Sequence, residues 1–329
     1  MEYIISLAHY IPKMIDNFKS LLELNDYFKE EKTCYEFLAN QIWDGGKPVC
    51  PHCHYTIVYI TKGRSTKPSK KDVPEYRCAA EHCGKKFSTT TGTIFEASKL
   101  PLRTWFAAIY LITTHKKGIS SLQLATDLSI TQKSAWFVLH RIRDMYRASA
   151  PDMLVDVVQL DEVYIGGKNK NRHADKKKEG SQGGAGKTMV FGARGICGKV
   201  KTQVIPNAES DTIVPIVEKW VEKGAIMVTD QLNSYKPLSE NYFHISVDHS
   251  AGEYVTGAFS SNGIENFWSL FKRGIIGIYH QVSPKHLQRY STEFAYRYNS
   301  RKEGSAERFK NTIKNANTAR LKYKDLTKD

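Results

Sequence analysis

The sequence lacks any continuous apolar run long enough to cross a membrane as a helix. Its opening stretch, MEYIISLAHYIPKMIDNFKSLLELNDYFKEEK, is amphipathic and charged rather than evenly apolar, so neither a secretory leader nor a span is expected there. A cytoplasmic protein in a reducing compartment is expected instead. No internal repeat is visible. Acid is in short supply: 34 Asp and Glu stand against 48 Lys and Arg, a net charge of +14. That imbalance favours a polyanionic partner, nucleic acid before membrane surface. Cysteine is scarce as well, with six in 329 residues. Four of them fall in two close pairs, which in a reducing compartment point to metal before disulfide.

What is present divides along the chain. Residues 1–45 read as an N-terminal helical region, with Leu21, Leu22, Leu24, Tyr27 and Phe28 at apolar positions. Residues 46–95 hold the paired cysteines, Cys50-Pro-His-Cys53 and Cys78-Ala-Ala-Glu-His-Cys83, followed by Gly84-Lys85-Lys86-Phe87. Short spacing lets one tight turn present two thiolates, and two such turns complete a tetrahedral zinc shell. The expectation is a zinc ribbon with one structural Zn2+ on Cys50, Cys53, Cys78 and Cys83. His52, His54 and His82 are substitute donors that four cysteines make unnecessary. The single Cys34 and Cys197 read as buried structural thiols.

Residues 96–150 return to helical periodicity, and KKGISSLQLATDLSITQKSAWFVLHRIRDMY has the size and pattern of a helix-turn-helix. Ser120 is a candidate N-cap and Gln123 a capping-box partner. DLSIT is the turn. The second helix turns Ala135, Val138, Leu139 and Ile142 inward, and Lys133, His140, Arg141 and Arg143 toward DNA. An ordinary helical hairpin has the same pattern.

Residues 151–305 alternate strand-like and helix-like segments, as an α/β layered domain does. VVQLDEVYIG, TMVFGARGICG and KVKTQVIPN read as strands, the last two joined by a tight turn. SDTIVPIVEKWVEKG reads as a helix, with Ile213, Val214, Val217, Trp220 and Val221 at helical spacing and Gly224 as its stop. AIMVTD and FHISVDH read as further strands. NGIENFWSLFKRG is a helix striped by Ile264, Phe267, Trp268 and Phe271. The basic, Gly-rich stretch 168–187 brings Lys168, Lys170 and Arg172 toward DNA phosphates, or simply faces water. Residues 306–329 read as a basic C-terminal tail.

Three carboxylates stand out in that block. Asp161 lies inside a strand, with Glu162 on the opposite face as alternation requires. Asp230 ends another strand. Glu265 shares one helix face with Asn262, Ser269 and Lys272, opposite the apolar stripe. Acids converging from strand ends and a helix suit a hard divalent cation, which takes oxygen ligands and serves phosphoryl transfer.

Six stretches carry a closer likeness: WDGGKPVCPHC, FSTTTGTIF, QLDEVYIGGKNKNRH, VTDQLNSY, NGIENFWSLFKRGIIGIYH and SPKHLQRYSTEFAYRYNSR. In their order and detail the chain resembles the ISXO2-like insertion-sequence transposases from about Cys34 to Arg301. The resemblance implies a ribonuclease-H-like catalytic domain, a mixed sheet with flanking helices, behind the zinc ribbon. It implies a DDE triad of Asp161, Asp230 and Glu265 holding Mg2+ or Mn2+, with Lys272 as the basic follower and Arg273 beside it on DNA. Some family members are described with Asn in place of the acid, and Asn262 occupies the matching N-x-x-E position as the alternative third ligand. The implied partner is double-stranded DNA, both element ends and target, bound by a homo-oligomer associated with the nucleoid. Two rival functions are a DNA-binding regulator without catalysis and a ribonuclease-H-like nuclease that cuts but does not join.

Overall fold

A computed structural model describes residues 18–61, 73–167, 186–230, 233–247, 255–256, 259–317 and 321–328. In chain order the elements are helices α1 (Leu21–Tyr27) and α2 (Glu31–Ile42); strands β1 (Val58–Thr61), β2 (Glu75–Cys78) and β3 (Lys86–Ser88); and helices α3 (Leu102–Thr114), α4 (Ser121–Leu128) and α5 (Gln132–Met145). Strands β4 (Val157–Ile165), β5 (Thr188–Gly195) and β6 (Val200–Ile205) follow, then helix α6 (Ser210–Trp220) and strands β7 (Ile226–Thr229) and β8 (Phe243–Ser246). The short pair β9 (Val255–Thr256) and β10 (Phe259–Ser260) precedes helices α7 (Asn262–Gly274), α8 (Pro284–Asn299), α9 (Ser305–Lys314) and α10 (Tyr323–Thr327). None of the described helices is long and apolar enough to cross a membrane. The elements fall into two compact units. One comprises residues 1–115, 119–148 and 303–329, and the other residues 116–118 and 149–302.

The first unit is helical around an aromatic core. Phe28 lies 5.1 Å from Phe37 of α2 and 4.8 Å from Phe106 of α3, and Phe106 lies 5.6 Å from Phe309 of α9, all edge-on. Edge-to-face pairs of this kind add to the burial of large rings. Glu31 of α2 accepts from the Leu102 backbone N–H at 2.5 Å, placing a carboxylate at the N-terminus of α3, where the helix dipole favours it. Leu24 and Phe28 are buried as the periodicity predicts, but Leu22 is 76% exposed and takes no part in the core. The stretch 306–329 is not a tail. Ala306, Phe309 and Ile313 of α9 are buried in the first unit's core, an i, i+3, i+7 stripe hidden among lysines and arginines. A small antiparallel sheet, in the order β1-β2-β3, belongs to the same unit.

The second unit is built on a five-stranded mixed sheet of order β6-β5-β4-β7-β8. β5 runs antiparallel to β4 and β6, while β7 runs parallel to β4 and β8. One face carries Val158, Leu160, Phe191, Ile213, Val217 and Tyr235, packed with α6. The other carries Val163, Ile165, Val190, Ile264, Phe267, Phe271 and Phe294, packed with α7 and α8. Helices thus cover both faces of an α/β sheet. Helix α6 stops at Trp220, short of the expected Gly224. Val221 is fully buried, extended, and bridged to Leu154, with the Leu154 N–H donating to Trp220 O at 2.7 Å. Burial against a strand wins there over continued helix. β4 pairs with β5 over its length, but its ladder with β7 ends at Gln159↔Val228.

Candidate metal centres

The cysteine centre is assembled by two matched turns. The His54 N–H donates to Cys50 O at 2.9 Å, and the Gly84 N–H donates to Ala80 O at 3.0 Å. His54 and Gly84, each directly after the second cysteine of its pair, have φ of 60° and 54°. The left-handed residue folds the chain back so that both thiols of a pair point the same way, which suits Gly84 and strains His54. The outcome is a group of four sulfurs, Cys50, Cys53, Cys78 and Cys83, all within 4.8 Å of one another. Burial pushes the Cys50 thiol up, but hydrogen bonds from the His52 and Cys53 backbone and from neighbouring thiols hold it down at about 7. Four gathered sulfurs, one of them easily ionised, fit a tetrahedral soft-ligand cation and leave no open position for water. No histidine belongs to the group. Cys34 is buried as expected; Cys197, expected to be buried, is exposed.

The acidic centre is assembled by topology. The parallel β4–β7 ladder ends at Gln159↔Val228, two residues before Asp161 on one strand and Asp230 after the other, and the charge of Asp230 is felt at Asp161. Asp161 opposes Gly192 of β5, on the sheet face that packs α7, and Glu265 stands on the first turn of that helix. Burial pushes the Asp161 carboxyl up to about 7, and the charges of Glu162, Asp230 and Glu265 push the same way. The Glu162 N–H donates to Asp161 Oδ1 at 2.8 Å and opposes that rise only in part. Glu162 itself points to the other face, as alternation predicts, where the buried Tyr235 hydroxyl donates to its Oε2 at 2.6 Å. Burial also raises the Glu162 carboxyl, despite that hydrogen bond. These acids influence one another electrostatically without being drawn in as tightly as the sulfurs. Among the described residues, the four cysteines alone form a group of three or more such ligands within 4.8 Å.

Sequence reasoning missed the groups that hold α7 in place. Gln159 lies two residues before Asp161 and therefore on the same face. Its Oε1 accepts from the Ile264 backbone N–H at 2.9 Å and from Arg194 Nη1 at 3.2 Å. Arg194 Nε donates to the Tyr298 hydroxyl at 3.2 Å. The helix reaches the sheet because glycines leave room. A Cβ on Gly192 would come within 2.5 Å of Trp268, and one on Gly263 within 2.5 Å of Gln159 Oε1. Ser261 Oγ donates to Glu265 Oε1 at 2.8 Å. Strand alternation alone could have flagged Gln159; the other contacts have no local signature.

Asn262, Lys272 and Arg273 are exposed on α7, and Ile264, Phe267, Trp268 and Phe271 are buried, as the stripe predicts. Lys133 is exposed at the start of α5, with its ammonium 4.8 Å from the Tyr323 ring centroid. The expected outward face of the rest of α5 is not found. His140, Arg141 and Arg143 are buried, and Arg141 donates to the carbonyls of Ile94, Glu96 and Leu321. This guanidinium fastens backbone segments together instead of meeting solvent. Ser120 does cap α4, its hydroxyl accepting from the Gln123 N–H at 3.1 Å, but the Gln123 side chain donates forward to Asp127 rather than closing a capping box. Lys168, Lys170 and Arg172 lie outside the described residues.

Comparison with known proteins adds the following. Residues 153–299 match the family model of the ISXO2-like transposase domain, and residues 29–86 match that of the transposase zinc-ribbon domain. An uncharacterized protein in transposable element ISH50 of Halobacterium salinarum is 28% identical over 301 residues, covering 88% of this chain and 98% of that protein. An uncharacterized transposase-like protein of Haemophilus influenzae is 33% identical over 103 residues, covering 31% of this chain and 82% of that protein. Among solved structures, the Mos1 strand transfer complex matches at 12% identity and a TM-score of 0.20, over 64% of this chain and 80% of that one, a likeness too slight to carry argument.

Proposed function

The chain belongs to the family of ISXO2-like insertion-sequence transposases, and from that premise we propose that it is a DDE transposase with a ribonuclease-H-like catalytic unit. It binds the terminal inverted repeats of its element as a homo-oligomer and catalyses metal-dependent cleavage and strand transfer on double-stranded DNA. The observation that carries this reading is the convergence on Asp161 of burial and of negative charge from Glu162, Asp230 and Glu265. A protein gains nothing in stability by gathering half-buried like charges; a divalent cation turns that cost into affinity.

Asp161, Asp230 and Glu265 would hold Mg2+ or Mn2+, and Cys50, Cys53, Cys78 and Cys83 one structural Zn2+. When bound, the divalent ion supplies Lewis-acid stabilisation of the attacking and leaving oxygens at a phosphodiester. The chain's own groups position. Ser261 fixes the Glu265 carboxylate, Gln159 fixes the start of α7, and Tyr235 holds Glu162 on the far side of the sheet. Lys272, two turns beyond Glu265 on the exposed side of α7, meets a DNA phosphate near the reacting bond.

The test uses the full chain and duplex carrying the element's ends. With Mg2+, cleavage at the ends and joining of the freed 3′-hydroxyl to target DNA are expected. Asp161→Asn, Asp230→Asn and Glu265→Gln should each lower cleavage by about a thousandfold, ~4 kcal/mol of barrier, and leave DNA binding intact. Asn262→Ala should be milder, since a neutral amide is the weaker donor to a hard cation. Cleavage without joining makes the protein a nuclease. A dead Asn262→Ala beside an active Glu265→Gln moves the third ligand to Asn262.

A further inference from the structure

The small sheet of the first unit has two unlike faces. Directly opposed residues of antiparallel strands share a face. In the row Ile60–Tyr76–Phe87 only the two inner strands are covered: Tyr76 and Phe87 are buried and stacked at 5.4 Å, with Trp43 edge-on 5.4 Å from Tyr76, while Ile60 on the outer strand is 51% exposed. The adjacent row, Tyr59–Arg77–Lys86, turns outward, and all three residues are exposed. Ile57, just before β1, is 56% exposed, and Tyr59 is 42% exposed. β1 is an edge strand of this sheet, paired with β2 alone. Arg77 and Lys86 make no ion pair among the described residues. None of these side chains is a candidate zinc ligand.

We propose that this outward face, with Arg77 and Lys86 beside Tyr59 and Ile57, is a DNA-contact surface that grips the sugar-phosphate backbone of duplex DNA. Neighbouring cations on one rigid sheet suit a polyanion, with the Arg fork taking two phosphate oxygens and the ammonium a third. The Tyr hydroxyl is a further phosphate donor, and the apolar Ile57 and Tyr59 surfaces suit the sugar edge. Glu75, one row further and half-buried, repels phosphate and confines the contact to the Arg77–Lys86 end. Positive charge at the centre of the face also disfavours stacking of two copies through it. The proposal rests on the reading of the chain as a DNA-binding transposase and assigns one surface of it.

The experiment compares the zinc-loaded full chain with three variants on end-bearing and scrambled duplex over a salt series. Arg77→Ala/Lys86→Ala should bind both duplexes about tenfold more weakly, and its log–log salt slope should shrink by roughly 1.8, since each lost phosphate contact removes about 0.9. Arg77→Lys/Lys86→Arg should restore the slope, which a merely misfolded sheet would not do. Tyr59→Ala should weaken binding with the slope unchanged, because an uncharged side chain neutralises no phosphate and releases no counterions. An unchanged slope and affinity in the double Ala variant, with wild-type binding intact, overturns the surface assignment and leaves the transposase reading standing. Wild-type protein that binds neither duplex overturns both. Self-association lost in the variants while DNA affinity holds gives the face to a second copy of the chain instead.

Discussion

The four cysteines and the three carboxylates are both candidate cation sites, and the chain builds them in opposite ways. The sulfurs come from two short turns of one small sheet and lie within 4.8 Å of one another. The acids come from the middle of β4, the residue after β7 and the first turn of α7, and they influence one another because β4 and β7 are neighbours in the sheet order β6-β5-β4-β7-β8. The first site rests on little else: its core is Cys50, Tyr76, Cys78, Ala80 and Phe87 with a few partly buried neighbours. The second is set into a large sheet with a packed core on each face. On the reading proposed above, a cation at the cysteines would hold up its surroundings, whereas the surroundings of the acids would hold up the cation.

Removing each metal in turn should break the comparison most sharply. Stripping zinc should abolish pairing among β1, β2 and β3, because structural zinc contributes on the order of 10 kcal/mol to domains of this size. Hydrogen exchange should show loss of protection over residues 46–95 alone. Removing Mg2+ should leave protection across β4–β8 unchanged. If the small sheet keeps its protection after verified zinc loss, its few core residues suffice and the contrast fails.

The acidic site should show the reverse sign, a stability cost without metal. The Asp161 carboxyl is raised from the ordinary 3.8 to about 7. The folded chain then binds that proton more tightly than the unfolded chain does, so stability falls as pH rises between those values and the full cost is present above about 7. Asp161→Asn removes the titration. The metal-free variant should be more stable than wild type at pH 8, by on the order of 2–4 kcal/mol, and indistinguishable from it near pH 4. Mg2+ should stabilise wild type and leave the variant unchanged. Thermal unfolding at the two pH values checks this; a variant less stable than wild type at pH 8 would mean that the carboxylate is paid for by contacts other than a cation.

The same contrast explains which features the sequence disclosed. Paired cysteines at short spacing carry their geometry with them, so the cysteine centre was readable from Cys50 to Cys83 as it stood. The α7 stripe and the strands of the large sheet were readable from period alone. Helix α9 was not, because its buried Phe309 and Ile313 are outnumbered by charge and their partners, Phe28 and Phe106, lie near the other end of the chain. Nor was the inward turn of Arg141, since a guanidinium that satisfies three backbone carbonyls looks in sequence like one that seeks phosphate. At the acidic site the carboxylates were visible and their supports were not. Gln159 and Arg194 belong to neighbouring strands and act on a helix that begins at residue 262.

That last group supplies the smallest and most specific test. Gln159→Leu keeps the side-chain bulk on β4 but removes the acceptor for the Ile264 N–H and for Arg194. Leaving buried donors unsatisfied costs about 1–3 kcal/mol. Part of that cost should appear as displacement of the first turn of α7, and with it Glu265, from Asp161. The Mg2+ concentration for half-maximal cleavage should then rise severalfold while DNA affinity is unchanged. Gln159→Glu keeps an acceptor for both donors and so keeps the helix start, but it adds negative charge on the Asp161 face. Its cleavage–pH profile should shift upward, because Asp161 ionises with more difficulty beside another carboxylate. A Gln159→Leu protein that loses stability yet keeps the wild-type Mg2+ dependence would show that Gln159 braces the fold without setting the site, and the contacts at the start of α7 would then belong to the core rather than to the chemistry.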